Sequence, residues 1–172
     1  MEKEKYARKK TVAIRVEPYL AEYARKKFSV SPKGGGIKIP YTYDLYHCIF
    51  NSMQKPPSGV VEPCEGNLLI CLPDSRMMPV RKHPETYCYL SASSMTDIEQ
   101  ALRQLFNFDF HQQMMDNESL GRPRQQIEVV ESFLSTYGVV SLTSSALLKN
   151  FQRYRQRISP RKKRKYQKVA RI

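Results

Sequence analysis

The sequence predicts an α+β fold, in which a small mixed sheet with flanking helices precedes a helical C-terminal module and a disordered basic tail. Three observations predict it. Short alternating or continuous apolar stretches, typical of strands, lie in the first half of the chain. Apolar residues at helical spacing dominate the second half. A hydrophobic content of 41% over 172 residues is sufficient to bury a core.

Four segments are predicted to form strands. Residues 11–17 alternate between apolar and more polar positions, which indicates a half-buried strand. Residues 37–39 predict a short strand, and residues 68–72 form a continuous apolar run that ends at Pro73. Tyrosines alternate with other residues through 86–90, which predicts the last strand.

Three helices are predicted to flank this sheet. The first covers residues 18–28 and opens on a proline, which suits the first turn of a helix. The second follows Thr42, which we expect to be its N-cap. The third covers residues 96–115, because Thr96 and Glu99 have the spacing of a capping box ahead of an amphipathic pattern.

Two more helices are predicted beyond a polar boundary at residues 116–124. The first covers residues 124–137 and stops at Gly138, because glycine favours the left-handed conformation that ends many helices. The second starts after Thr143 and ends before Pro160. Their inward-facing positions are Ile127, Val130, Leu134 and Tyr137 in the first helix and Leu147, Phe151, Tyr154 and Ile158 in the second.

The charge distribution points to a polyanionic partner. The predicted parts of the chain are a basic N-terminal arm (1–10), an α+β body (11–116), a helical module (122–158) and a disordered basic tail (159–172). Residues 132–172 hold eleven Lys and Arg and no Asp or Glu, whereas residues 12–131 are close to neutral. Nucleic acid is therefore the first candidate partner, with duplex DNA favoured over RNA and no membrane contact expected.

A basic stripe on the last predicted helix could contact that partner. Because successive helical residues are rotated by about 100°, its members share the side opposite to the apolar positions. The basic stripe consists of Lys149, Gln152, Arg153, Gln156 and Arg157. Arginine suits phosphates and guanine edges, and glutamine suits adenine edges in a major groove. A solvated basic surface helix is the alternative interpretation.

The basic run after this helix cannot fold alone, because adjacent like charges repel. We expect it to follow the phosphate backbone and to make binding strongly dependent on salt. A nuclear localisation signal is the rival interpretation. The basic residues of this run that we expect to contact nucleic acid are Arg161, Lys162, Lys163, Arg164, Lys165 and Lys168.

Two segments resemble DNA-binding proteins. The two C-terminal helices resemble, in general layout, a helix-turn-helix of phage and mobile-element proteins, which implies a regulator or a replication or recombination accessory factor. The segment KKTVAIRVEPYLAEYARKKF resembles the opening of ribbon-helix-helix proteins. That resemblance implies that Thr11, Ala13 and Arg15 read the major groove, and an ordinary sheet strand is the alternative.

We expect no enzymatic activity, no cofactor and no metal site. The three histidines and four cysteines form no HxH, HExxH or CxxC pattern, and the glycine triplet at 34–36 lacks the lysine and hydroxyl residue of a P-loop.

Free cysteines and the absence of a long apolar segment predict a soluble protein of a reducing compartment. That compartment would be the cytoplasm, at the nucleoid, or the nucleus if the host is eukaryotic. The α+β body is expected to supply homodimer or partner contacts. RNA binding, or protein interaction with the tail as a localisation device, are the alternative functions.

Overall fold

The structure is a computed structural model that describes residues 11–32, 34–57, 65–74, 78 and 80–159. These residues form the predicted α+β fold, in which a four-stranded sheet and two helices precede three C-terminal helices. The elements are β1 (Thr11–Ile14), α1 (Pro18–Lys27), β2 (Ser29–Val30), β3 (Ile37–Lys38), α2 (Asp44–Ser52), β4 (Leu68–Cys71), α3 (Ala92–Ser119), α4 (Gln126–Tyr137) and α5 (Ser144–Ile158).

The sheet is mixed, as predicted, and has the strand order β1-β4-β3-β2. β1 pairs antiparallel with β4, so that Ile14 lies opposite Leu68. β3 runs parallel to β4, and β2 pairs antiparallel with β3. β1 therefore belongs to a sheet within one chain, as expected for an ordinary strand.

The first strand is shorter than predicted, because β1 ends at Ile14 and not at Glu17. Val16 nevertheless stays buried, and its backbone bonds to a side chain instead of a strand. Its N–H donates to Oδ1 of Asn67 over 2.9 Å, and Nδ2 of Asn67 donates to its carbonyl over 2.8 Å. The amide of Asn67 replaces the missing strand partner because β4 begins only at the next residue.

The strand predicted at residues 86–90 is wrong. Within the described ranges this segment forms one isolated bridge, in which the backbones of Tyr89 and Gln54 exchange hydrogen bonds of 3.0 and 3.1 Å. The N–H groups of Thr86 and Tyr87 both donate to the carbonyl of His83, each over 2.9 Å. A turn takes up these N–H groups, so the alternating tyrosines do not build a strand.

The predicted N-cap of the second helix is also wrong. α2 has Tyr43 as its N-cap residue, without a side-chain capping bond. The N–H of Tyr43 donates to the carbonyl of Pro40 over 3.2 Å. This turn brings the chain into the helix, so the Thr42 hydroxyl is not needed as a cap.

α3 begins four residues earlier than predicted, so Thr96 and Glu99 do not form its capping box. The hydroxyl of Ser91 accepts from the N–H of Ser94 over 3.2 Å and caps the helix instead. Thr96 lies inside the helix, where its hydroxyl donates to the carbonyl of Ala92. A competing serine cap upstream thus outweighs the capping-box spacing.

α3 also extends beyond Met115 to Ser119, into the segment predicted as a polar boundary. Asn117 is 5% exposed, and its amide bonds to both the N–H and the carbonyl of Arg124, over 3.3 and 3.0 Å. Gly121 and Arg122 have φ angles of 79° and 60°, and reverse the chain direction. The boundary is therefore a short, specifically bonded turn between α3 and α4.

A single cluster of buried residues extends from Ile14 to Phe151 and includes members from α1 to α5. α3 provides its centre, with Ile98, Leu102, Phe106, Phe110 and Met114 all buried. The division into a body and a helical module stays a prediction, since residues of both predicted parts contribute to this cluster.

The buried side of α4 matches the prediction at Val130 but is otherwise shifted from it. Val129, Val130 and Phe133 are fully buried, whereas the predicted inward positions 127, 134 and 137 are half-buried. α4 packs against α1, α3 and α5 together, which shifts its buried face. It runs antiparallel to α3, because Gln126 bonds to Glu118 over 3.2 Å while Phe133 packs on Phe106 much nearer the start of α3.

Candidate nucleic-acid interface

The structure brings the five residues of the basic stripe together on the solvent side of α5. All five are exposed. On the opposite side, Leu147 and Phe151 are 2% and 1% exposed, and Tyr154 is half-buried, as predicted for an amphipathic helix. Ile158 departs from this prediction, because it lies beyond the core and is 52% exposed.

α5 is anchored to α3 by a polar contact beside its apolar side. Nε2 of His111 lies 2.6 Å from Oδ1 of Asn150, and Nδ2 of Asn150 donates to Oδ1 of Asn107 over 3.2 Å. The ring of His111 also stacks on Tyr154, with centroids 4.0 Å apart and planes 16° apart. These contacts fix the rotation of α5, and therefore the direction in which the basic stripe faces.

The basic stripe has no carboxylate partner among the described residues. Residues 132–159 contain four basic and no acidic side chains. The remaining arginine of α5, Arg155, lies outside the stripe and pairs with Glu118 on α3 over 3.3 Å. Glu118 also accepts from Arg122 and Gln126, each over 3.2 Å. Within the described ranges, Arg155 is thus ion-paired, whereas the arginines of the stripe have no carboxylate partner.

The positive charge of the basic stripe acts on His111 at the contact between α3 and α5. Burial lowers the pKa of His111, because the imidazolium form is poorly solvated there. The hydrogen bond with Asn150 opposes this effect, and the positive charge of Arg157 lowers the pKa further. His111 is therefore held in its neutral form against α5 at neutral pH.

Glu22 on α1 holds the turn between α4 and α5. Its carboxylate accepts from the backbone N–H groups of Val140 and Ser141, over 2.9 and 3.2 Å, and from the Ser141 hydroxyl over 2.9 Å. Burial alone would raise the pKa of Glu22, but these hydrogen bonds outweigh it and lower that pKa. The start of α5, five residues before Lys149, is thereby linked to α1 in the N-terminal half of the chain.

A second polar cluster lies where α1, α3 and α4 meet. The Tyr23 hydroxyl donates to Oδ2 of Asp109 over 2.5 Å, and the ammonium group of Lys27 pairs with the same oxygen. Burial, followed by the hydrogen bond to Asp109, raises the pKa of Tyr23 far above its ordinary value. Because Tyr23 is 0% exposed and the Lys27 and Asp109 side chains are largely buried, this cluster links helices.

A cleft of about 240 Å³ lies between the start of α1, α3 and the start of α5. Its charged lining residues, Glu17 and Arg103, pair with each other over 3.1 Å, and Arg103 also pairs with Glu99 over 2.7 Å. The described residues contain no group of three or more side chains able to hold a metal ion. In the same part of the chain, no helix combines the length and the apolar character needed to cross a membrane.

Other predicted contact residues fall outside the described ranges. They are the tail residues Arg161, Lys162, Lys163, Arg164, Lys165 and Lys168, and the basic N-terminal arm predicted at 1–10 also lies outside these ranges. Residue spacing alone does not predict that Asn150 and Glu118 hold α5 in place. For Asn150, its polar side chain beside the apolar side of the predicted helix could have indicated such a contact. No protein-family model, curated protein or solved structure matches this chain.

Proposed function

We propose that this chain is a non-enzymatic DNA-binding protein that docks the basic stripe of α5 on duplex DNA. The observation that carries the proposal is the stripe itself, whose five exposed residues have no acidic partner in the part of the chain that the structure describes, on a helix anchored by its opposite side. Arginine and lysine side chains that neutralise phosphates release counterions, which favours binding to a polyanion.

The anchoring of α5 supports docking of a preformed surface. His111 and Asn150 hold α5 against α3, and Glu22 holds the preceding turn. The stripe therefore needs no large rearrangement before it meets a ligand, which reduces the entropic cost of binding.

The position of the stripe on an α-helix favours DNA over double-stranded RNA as its ligand. From Lys149 to Arg157 it extends about 12 Å along α5, at 1.5 Å per residue. The major groove of B-form DNA, about 12 Å wide, admits an α-helix, whereas the deep and narrow major groove of A-form RNA does not. The glutamines at 152 and 156 would then lie beside the arginines as groups able to bond to base edges.

Binding of the full chain to a blunt DNA duplex and to an RNA duplex of the same sequence, measured by fluorescence anisotropy across a salt series, tests this proposal. We expect salt-dependent binding that favours DNA. The double variant Arg153→Ala/Arg157→Ala should weaken DNA binding by about tenfold or more and reduce the salt slope by about two.

Arg155→Ala is the matched control, because Arg155 is adjacent in sequence to Gln156 of the stripe but is paired with Glu118. It should reduce the salt slope by less than half of the reduction seen in the double variant. Unchanged affinity in the double variant would exclude α5 as the docking element, and preference for the RNA duplex would contradict the groove argument.

A further inference from the structure

The side chain of Phe108 stands out on α3 because it is 65% exposed on a helix whose other phenylalanines at 106 and 110 are buried. Three residues further along, His111 contacts α5 through Asn150 and Tyr154. Since helical residues three apart are neighbours on the helix surface, Phe108 lies beside the junction of α3 with α5.

The surface around Phe108 is polar, and the carboxylates nearest to it along α3, those of Asp109 and Asp116, are both hydrogen-bonded. Gln104 and Gln112, one turn before and one turn after it, are both exposed. The acidic residue within one turn of Phe108, Asp109, is bound to Tyr23 and Lys27 on the inner side of α3. The carboxylate of Asp116, about two turns beyond Phe108, accepts a hydrogen bond from Gln112 over 2.8 Å, so both of these carboxylates are engaged.

Two arginines of the basic stripe border the same junction. Arg153 and Arg157 follow Asn150 at three and seven residues, so all three share one flank of α5. Asn150 bonds to His111, and the charge of Arg157 acts on the His111 ring. An exposed aromatic ring thus lies next to a cationic helix flank, which is the combination that proteins use to bind unpaired nucleotides.

We propose that Phe108 stacks on an unpaired base of a DNA ligand whose duplex part lies on the basic stripe. This inference rests on the proposed function and names its ligand class, a duplex with a single-stranded overhang. Bases inside an intact duplex are already stacked on their neighbours on both faces, whereas an unpaired base can present its face to the ring. Arg153 and Arg157 would hold the phosphates at the junction, and Gln104 and Gln112 would lie within reach of the base edges.

Anisotropy titrations of the full chain with a blunt duplex, the same duplex with a DNA overhang, and the same duplex with an RNA overhang test this inference. We expect the DNA overhang to raise affinity by about fivefold or more, since base–aromatic stacking contributes about 1–3 kcal/mol per base. A 2-aminopurine placed in the overhang should lose fluorescence on binding, which reports stacking directly.

Three variants separate stacking from other effects. Phe108→Leu keeps an apolar side chain without an aromatic face and should remove the advantage of the overhang, whereas Phe108→Trp should retain it. Leu120→Ala is the matched control, because Leu120 is 75% exposed beyond the far end of α3. It should leave all affinities unchanged.

Equal wild-type affinity for blunt and overhang duplexes overturns this inference and leaves the proposed function standing. An overhang advantage that survives in Phe108→Leu, or that is larger for the RNA overhang, also overturns it. Absence of salt-dependent binding to every DNA would instead overturn the proposed function.

Discussion

Nε2 of His111 lies 2.6 Å from Oδ1 of Asn150, and this contact joins the longest helix of the structure to the helix that carries the basic stripe. Since the Asn150 amide also donates to Asn107, its oxygen is the atom left to accept from the imidazole. His111 therefore carries its proton on Nε2 in this arrangement, and it stacks on Tyr154 at the same time.

The first prediction concerns the pH dependence of stability. Burial lowers the pKa of His111 in the fold, and Arg157 adds to that effect. As the pH falls below about 6.5, the unfolded chain takes up this proton before the folded chain does. The stabilisation is therefore complete above that pH and is lost as the pH falls toward the folded pKa.

Urea unfolding of the wild type and of His111→Gln, at neutral and at mildly acidic pH, measures this effect. The wild type should lose more stability on acidification than the variant, whose side chain keeps a donor but does not titrate. Equal losses in both proteins would contradict the prediction. His83→Gln is the control, because His83 is exposed and remote from α5 along the chain.

The second prediction concerns the cluster around Asp109. Tyr23→Phe removes one hydrogen bond from a carboxylate that keeps Lys27, and should cost about 1–2 kcal/mol of unfolding free energy. Asp109→Ala leaves both a buried hydroxyl and a largely buried ammonium group without this partner, and should cost about 3 kcal/mol or more. Tyr41→Phe, at a residue that is 56% exposed, should change nothing. A smaller loss for Asp109→Ala than for Tyr23→Phe would refute this assignment.

The third prediction concerns the link from α1 to the α4–α5 turn. Glu22→Gln replaces a charged acceptor of three hydrogen bonds with a neutral one and should cost about 1 kcal/mol. Because the folded pKa of Glu22 is lowered, its contribution is present above the ordinary value of 4.5 and is lost as the pH falls through the folded value. Urea unfolding at neutral and acidic pH should show a smaller difference between the two proteins in acid. Glu131→Gln, at an exposed residue, is the control.

Local patterns predicted the fold class because the spacing of apolar residues within a short segment indicates whether that segment is a helix or a strand. α5 begins after Thr143, and α4 ends at Gly138, whose φ of 61° favours a glycine. The strand errors arose where a distant residue decides the outcome. β1 ends early because Asn67, 51 residues away, bonds to Val16. A distant backbone likewise holds Tyr89 in a single bridge to Gln54.

The candidate site was predictable to a similar extent. Helical spacing alone placed the basic stripe on one exposed side of α5. It could not show that Arg155 is paired, because its partner Glu118 belongs to another helix. It also could not show that Phe108 is exposed, since Phe106 and Phe110, two residues to either side, are equally apolar and the positions of α1, α2, α4 and α5 decide which side of α3 is covered.

The fourth prediction concerns Glu118, which belongs to α3 and pairs with Arg155 near the end of α5. Its Oε1 atom accepts from Arg155 and Arg122, and so neutralises positive charge close to the basic stripe. Glu118→Gln keeps an oxygen acceptor for these contacts but removes the negative charge. Under the proposed function, the variant should bind duplex DNA more tightly at low salt and show a steeper salt slope, by up to about one.

Glu131→Gln controls for net charge in this experiment, because it removes one negative charge from an exposed position of α4 without releasing an arginine. Anisotropy salt series for the two variants should therefore differ, with the larger increase in slope for Glu118→Gln. Identical slopes would show that Arg155 and Arg122 stay outside the interface even when their partner is neutral. A loss of affinity in Glu118→Gln would show instead that the ion pair with Arg155 is needed to hold α5 in place for binding.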